Sequence, residues 1–185
     1  MTNLDREEFM IETNRLILRE FNEIDLDELY TLVCQNDFML TVSKKEDLKR
    51  YIKYLKEKQN QFNPDDTRFI LGIFVKDKPE FVGWSAILPN TKFESTQRER
   101  FIVISRDQRN KGYVTEAEMG TYDYMFTKTN HHEIVARVYF SNPYYKLVTD
   151  IMKKTGYVPM LPKYTSNTKR CNYFILTRER YMSKR

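Results

Sequence analysis

At 185 residues the chain suits one well-packed domain and is short for two, and its 41% apolar and 14% aromatic content argues for a core and against disorder. Its net charge of +5 favours acidic partners, but the bases are scattered, and the densest run, residues 43–58, mixes in Glu46, Asp47 and Glu57 as a solvated helix face would, so a nucleic-acid-binding module is the weaker reading. No stretch has the apolar length of a membrane span, the acidic start (Asp5, Glu7, Glu8) is unlike a secretory signal, and Cys34 and Cys171 make neither a disulfide framework nor a metal cluster, which leaves a cytoplasmic protein without a metal as the expectation.

No repeat, low-complexity tract or linker divides the chain, so residues 1–185 are expected to form a single domain with residues 1–12 as a flexible lead-in. Arg15–Phe21 (RLILREF) reads as a strand. Asp25–Gln35 reads as a helix, with Leu26, Leu29, Tyr30 and Val33 on one face and Asp25 with Glu28 as its capping pattern. A second helix is expected from Ser43, where Glu46 repeats that pattern, with Leu48, Tyr51, Ile52 and Leu55 as its apolar stripe. The period then changes. Phe69–Val75, Phe81–Leu88 and Arg98–Ile104 are short β-branched and aromatic runs, the first two separated by a turn at residues 76–79.

A helix follows Gly112, with Val114, Ala117, Thr121, Tyr124 and Met125 in its stripe. Ile134–Phe140 is a further strand. Residues 142–155 read as a helix with Asn142 as cap, Pro143 in the first turn and Gly156 just past the end. Tyr173–Leu176 is a last strand. Three successive strands imply antiparallel pairing, and the strand–helix–strand unit over 98–140 implies a parallel crossover. The expected fold class is therefore α/β, of the mixed α+β kind: a central mixed, mostly antiparallel sheet with helices on both faces.

Only 5 glycines are present, so the place of Gly112 is informative. It lies in Gln108-Arg109-Asn110-Lys111-Gly112-Tyr113-Val114-Thr115-Glu116-Ala117, between a strand and a helix. Such a junction presents unpaired backbone N–H groups and the positive end of a helix dipole, which suit a phosphate or pyrophosphate. Arg109 and Lys111 add charge at the same place. A single glycine with two basic neighbours is, taken alone, more often an ordinary turn.

The segment Arg109-Asn110-Lys111-Gly112-Tyr113-Val114 resembles the pyrophosphate loop, Arg/Gln-x-x-Gly-x-Gly/Ala, of the GNAT superfamily of N-acetyltransferases. Residues 13–19 (TNRLILR) and 174–179 (FILTRE) resemble its ribosomal-protein N-acetyltransferase-like branch, with the family's spacing between the three. The resemblance implies acetyl transfer from acetyl-CoA, as co-substrate, to an amine acceptor by direct attack in a ternary complex. It implies donor-binding roles for Val103, Ile104, Arg109, Asn110, Lys111, Gly112, Tyr113, Val114, Thr115 and Asn142. A homodimer is compatible with it. Two departures stand out: Val114 replaces the usual Gly or Ala, and the stretch from Asn142 to Gly156 is about one turn longer than in the family and lacks its Ser.

Amine acetylation needs a positioned thioester, a polarised carbonyl, a deprotonated amine and a stabilised leaving thiolate. Counting back from Arg109, Glu99 falls where the family often carries an acid and is the candidate base; equally, it reads as a surface carboxylate paired with Arg98 or Arg100. Tyr144 or Tyr145 is the candidate acid. His131 and His132 read as a loop, since adjacent residues entering a strand face opposite ways. Trp84 reads as core, with an acceptor-pocket wall as the alternative. The rival to an enzyme is a catalytically weak acyl-CoA-binding protein of the same fold.

Overall fold

The computed structural model describes residues 9–35, 44–59, 67–78, 80–89, 97–160 and 170–185. Eight strands form one sheet in the order β1-β2-β3-β4-β5-β6-β8-β7. They are β1 (Met10–Glu12), β2 (Leu16–Arg19), β3 (Phe69–Val75), β4 (Phe81–Pro89), β5 (Arg98–Ile104), β6 (Glu133–Tyr139), β7 (Val158–Pro159) and β8 (Cys171–Thr177). The helices are α1 (Leu26–Gln35), α2 (Lys45–Gln59), α3 (Tyr113–Lys128), α4 (Tyr145–Thr155) and α5 (Arg178–Met182). β5 and β6 pair parallel; the other neighbours pair antiparallel. The expected mixed, mostly antiparallel sheet is what forms. Among the described residues no helix is long and apolar enough to cross a membrane.

Strand alternation sorts the core into two layers. Leu16, Leu18, Leu71, Ile73, Ile87 and Ile104 pack under Ala117, Tyr122, Met125 and Phe126 of α3, with Met152 of α4. On the other face Phe74, Phe81, Trp84 and Ala86 pack under Leu29, Leu32 and Val33 of α1 and Leu48 of α2. Trp84 is thus core, at 5% exposure.

Several boundaries differ from expectation for local reasons. Asp25 does not cap α1 with Glu28. A turn of 3-10 helix over Glu23–Asp25 precedes α1, and Asp25 accepts the Asn22 N–H at 2.7 Å and a fork from Arg19 at 2.7 and 3.0 Å. α4 begins at Tyr145 rather than Asn142, because the Asn142 Oδ1 accepts the Tyr144 N–H at 2.8 Å and closes a turn of its own. Gly156 ends α4 with φ of 104°, as a left-handed C-cap should. Residues 10–12, expected to be loose, form β1 along β2. β7 and α5 also lack a sequence counterpart. The start of the second helix at Ser43 and the side chains of Tyr51 and Leu55 lie outside the described residues, as do most of the loops after β4 and β7.

Candidate active site

The site begins where the sheet stops being a sheet. β5 and β6 are paired only at Arg98–Ile134 and Glu99–Val135, yet β5 continues to Ile104 and β6 to Tyr139. The strands diverge beyond Glu99, so the β5 edge from Arg100 onward faces a cleft rather than a neighbour. β4 fixes the other edge of β5. It runs so close that a Cβ on Gly83 would lie 2.1 Å from the Val103 carbonyl oxygen, and its Val82 carbonyl takes the Ser105 N–H at 2.9 Å where β5 ends. An extended amide-bearing ligand in the cleft would run along this edge, at whose end the Ile104 carbonyl accepts from Arg109 Nε at 3.2 Å.

At the mouth lies the loop from Arg109 to Gly112. Gly112 is the N-cap of α3 with φ of 80°, and Asn110 is also left-handed, at 64°. Gly takes that conformation freely, and Asn tolerates it better than most residues. Two left-handed residues turn successive N–H groups toward one side, and the first N–H groups of α3, from Tyr113 to Thr115, have no intrahelical partner. Asn110, Lys111, Gly112 and Thr115 are exposed, whereas Tyr113 and Val114 pack against the core. Val114 therefore turns its branched side chain inward, and its departure from the family pattern does not crowd the loop. The Lys111 ammonium donates to Gln108 Oε1 at 2.6 Å.

The corner between β1 and β2 braces this loop. Glu116 accepts from Thr13 Oγ1 at 2.7 Å, from the Arg15 N–H at 2.6 Å and from Arg15 Nε at 2.7 Å. Arg15 Nη1 donates to the Lys111 carbonyl at 3.0 Å, and its guanidinium lies 5.0 Å from the Tyr113 ring centre. Burial alone would raise the Glu116 carboxyl; the bonds from Thr13 and Arg15, with the guanidinium charge, outweigh it and hold the group below its ordinary 4.5.

The structure separates the two candidate tyrosines. Tyr144 stands at the mouth, where the Arg109 guanidinium lies 4.8 Å from its ring centre, so the loops following β5 and β6 touch there. Asn142 is beside it, with Nδ2 unengaged among the described residues. Tyr145 is not brought to the cleft. Its hydroxyl accepts from Asn172 Nδ2 on β8, on the far side of β6.

Glu99 lies on β5 as expected. It is 3% exposed, so it is no surface residue. Arg137 of β6 forks onto it through Nε and through Nη2 at 2.8 Å. Arg100 points to the opposite face and meets Glu118 of α3 at 2.8 Å, in a pocket walled by Tyr122 and Tyr157, whose rings are 5.7 Å apart. Burial drives the Glu118 carboxyl above its usual value against the pull of Arg100. Arg137, Glu118 and the brace at Thr13, Arg15 and Glu116 escaped the sequence reading. The available signal was a charge inside each periodic apolar run: Arg137 in IVARVY and Glu118 in the α3 stripe. His131, in the loop before β6 as expected, is buried and accepts the Thr67 N–H at 3.3 Å.

Comparison with known proteins accords with this architecture. A ribosomal-protein-serine acetyltransferase candidate of Vibrio cholerae superposes with a TM-score of 0.70 at 17% identity, over 91% of this chain and 97% of its own. A GNAT-family acetyltransferase of Bacillus anthracis gives 0.69 at 18% identity, over 92% and 99%. The spermidine N-acetyltransferase of Vibrio cholerae, solved with CoA and spermine, gives 0.68 at 18%, over 91% and 98%. No curated protein sequence matches the chain significantly. At such identities the structures speak for the fold alone, but the profile of the acetyltransferase (GNAT) domain matches residues 15–158, most of the chain. The chain belongs to the GNAT acetyltransferases.

Proposed function

We propose that the protein transfers the acetyl group of acetyl-CoA to a primary amine, on a small molecule or a protein N-terminus, by direct attack in a ternary complex. The observation that carries this reading is the cleft itself. β5 and β6 part after Glu99 and Val135, and the left-handed loop at Asn110 and Gly112 stands at the open end. The residues present fit the donor. The loop N–H groups and the α3 dipole suit a pyrophosphate, with Arg109 and Lys111 beside them. The edge of β5 along Val103 and Ile104, beyond the last rung to β6, suits the amide-bearing arm, and the Asn142 amide can donate to it. In the reaction the ammonium first gives one proton to water, the free amine nitrogen bonds to the thioester carbon, the C–S bond breaks, and the second proton lost by nitrogen replaces the one given to the sulfur. A backbone N–H of β5 polarises the carbonyl oxygen. Tyr144, at the mouth, is assigned as the proton donor to the departing thiolate.

The test is thiol release from acetyl-CoA over a panel of polyamines, amino acids, aminoglycosides and N-terminal peptides, with mass analysis of the product. A product heavier by one acetyl group supports the reading. No thermal stabilisation by millimolar acetyl-CoA and no heat of binding would overturn it, since a ligand of the folded state must raise the melting temperature. A second reading, an acyl-CoA-binding protein with little turnover, is favoured by the engagement of Glu99 with Arg137 and of the Tyr145 hydroxyl with Asn172. It predicts stabilisation by acetyl-CoA with no product across the panel.

A further inference from the structure

Consecutive residues of β5 leave the sheet in opposite directions where the β5–β6 ladder ends. Arg100 goes to the α3 face and meets Glu118; Glu99 goes to the α1 and α2 face and meets Arg137. The two pairs differ in what they join. Arg100–Glu118 ties a strand to the helix packed over it. Glu99–Arg137 ties the two diverging strands to each other. Glu99 sits opposite Val135 in the last rung, while Arg137 lies beyond that rung on β6. From there its guanidinium reaches back across the opening, with Nη2 donating to Oε2 at 2.8 Å and Nε to Oε1. Side-chain exposures of 16% for Arg137 and 4% for Glu99 keep water from competing for these bonds. On β6 the Arg137 guanidinium is flanked by the Tyr139 ring, 6.0 Å away.

We propose that the Glu99–Arg137 pair is a strap that sets the aperture of the β5–β6 cleft, which makes both residues positioning residues for the acyl donor and removes Glu99 from proton transfer. The donor part of this rests on the reading of the cleft as the acetyl-CoA site. Paired strands are held about 4.8 Å apart by their ladder. Past the last rung the backbone no longer fixes their separation, and the next connection between them does. Apolar contacts would let the strands slide. A two-bond fork between a planar guanidinium and a carboxylate fixes both distance and angle. A strap at the vertex also leaves the edge of β5 from Phe101 onward clear for the donor.

The test uses E99Q, R137Q and the double variant E99Q/R137Q, which leaves no lone buried charge. Acetyl-CoA affinity is measured by calorimetry and the pH dependence of kcat by thiol release. The aperture is measured without ligand, by the distance distribution between spin labels at D107C and K146C in a C34S background. The strap predicts that all three variants lose acetyl-CoA affinity by on the order of tenfold. The double variant should be no worse than the singles, the distance distribution should broaden, and the pH midpoint of kcat should stay put. Normal affinity and an unchanged distance in E99Q, with kcat collapsed and its pH dependence lost, would overturn the strap and restore Glu99 as the base. Unchanged distances in all three variants would overturn it as well. A wild type that fails to bind acetyl-CoA would remove the donor reading instead, and the distances would still decide whether the strap exists.

Discussion

At its open end the β5–β6 cleft is bounded by backbone: the left-handed Asn110 and Gly112 and the first N–H groups of α3. At its closed end it is bounded by side chains, Glu99 with Arg137 on one face of the sheet and Arg100 with Glu118 on the other. The materials follow from solvent. An exposed loop can offer its N–H groups to an anion without desolvating a counter-charge, so orientation alone makes the site. A buried vertex has little water to stabilise an ion, so Glu99 and Glu118 are each met there by a guanidinium.

The largest effect should come from breaking the closed end on the helix side. Arg100→Met leaves the Glu118 carboxylate buried and alone, which should cost about 3–5 kcal/mol by denaturant unfolding, and R100M/E118M should recover most of it. If Arg100→Met unfolds like wild type, the vertex is held by packing and the contrast between the ends fails. At the open end, Gly112→Val should weaken acetyl-CoA by tenfold or more, while the forced left-handed backbone costs only roughly 1–3 kcal/mol of stability. Normal affinity in that variant would show that the donor is not held by this turn.

The smallest effect concerns the brace behind the loop. The Glu116 carboxyl is held below its ordinary 4.5, so its contribution is present above that value and is lost as pH falls through the lower folded value. Glu116→Gln should therefore lower the melting temperature at pH 7 by an amount equivalent to roughly 1–2 kcal/mol, ordinary for bonds to a charged group, and by little once the wild-type carboxyl is protonated. A difference independent of pH would show that the brace works by shape alone.

The same contrast explains what could be read from the sequence. β3 and β5 match their expected bounds residue for residue, and α3 follows Gly112 as expected, because apolar period and a glycine at a strand–helix junction are local signals. The loop at Asn110 and Gly112 was legible for the same reason: its character is backbone conformation over a few consecutive residues. The closed end was not. Glu99 stands out in the sequence, but Arg137 is 38 positions away, and no local pattern in Arg98-Glu99-Arg100 points to a guanidinium on β6. The alternation of the strand decides it by sending Glu99 and Arg100 to opposite faces. Tyr144 and Tyr145 were indistinguishable as types. A turn at Asn142 that delays α4 sets which of them meets Arg109.

The bond between Arg15 and Glu116 spans 101 positions of chain. Closing so long a loop is entropically costly, and local contacts form well before it. The turn at Gly112 is therefore a late product of folding even though its own residues are adjacent. A peptide covering residues 105–128 has the helix and the glycine but not the corner at Thr13 and Arg15, and short helices in isolation are marginal in water. It lacks the bonds that Thr13 and Arg15 make to Glu116 and to the Lys111 carbonyl. In a chain still emerging from the ribosome, the β1–β2 corner waits without its partner until α3 is made, so the brace on the Gly112 turn arrives together with the packed sheet and not before it.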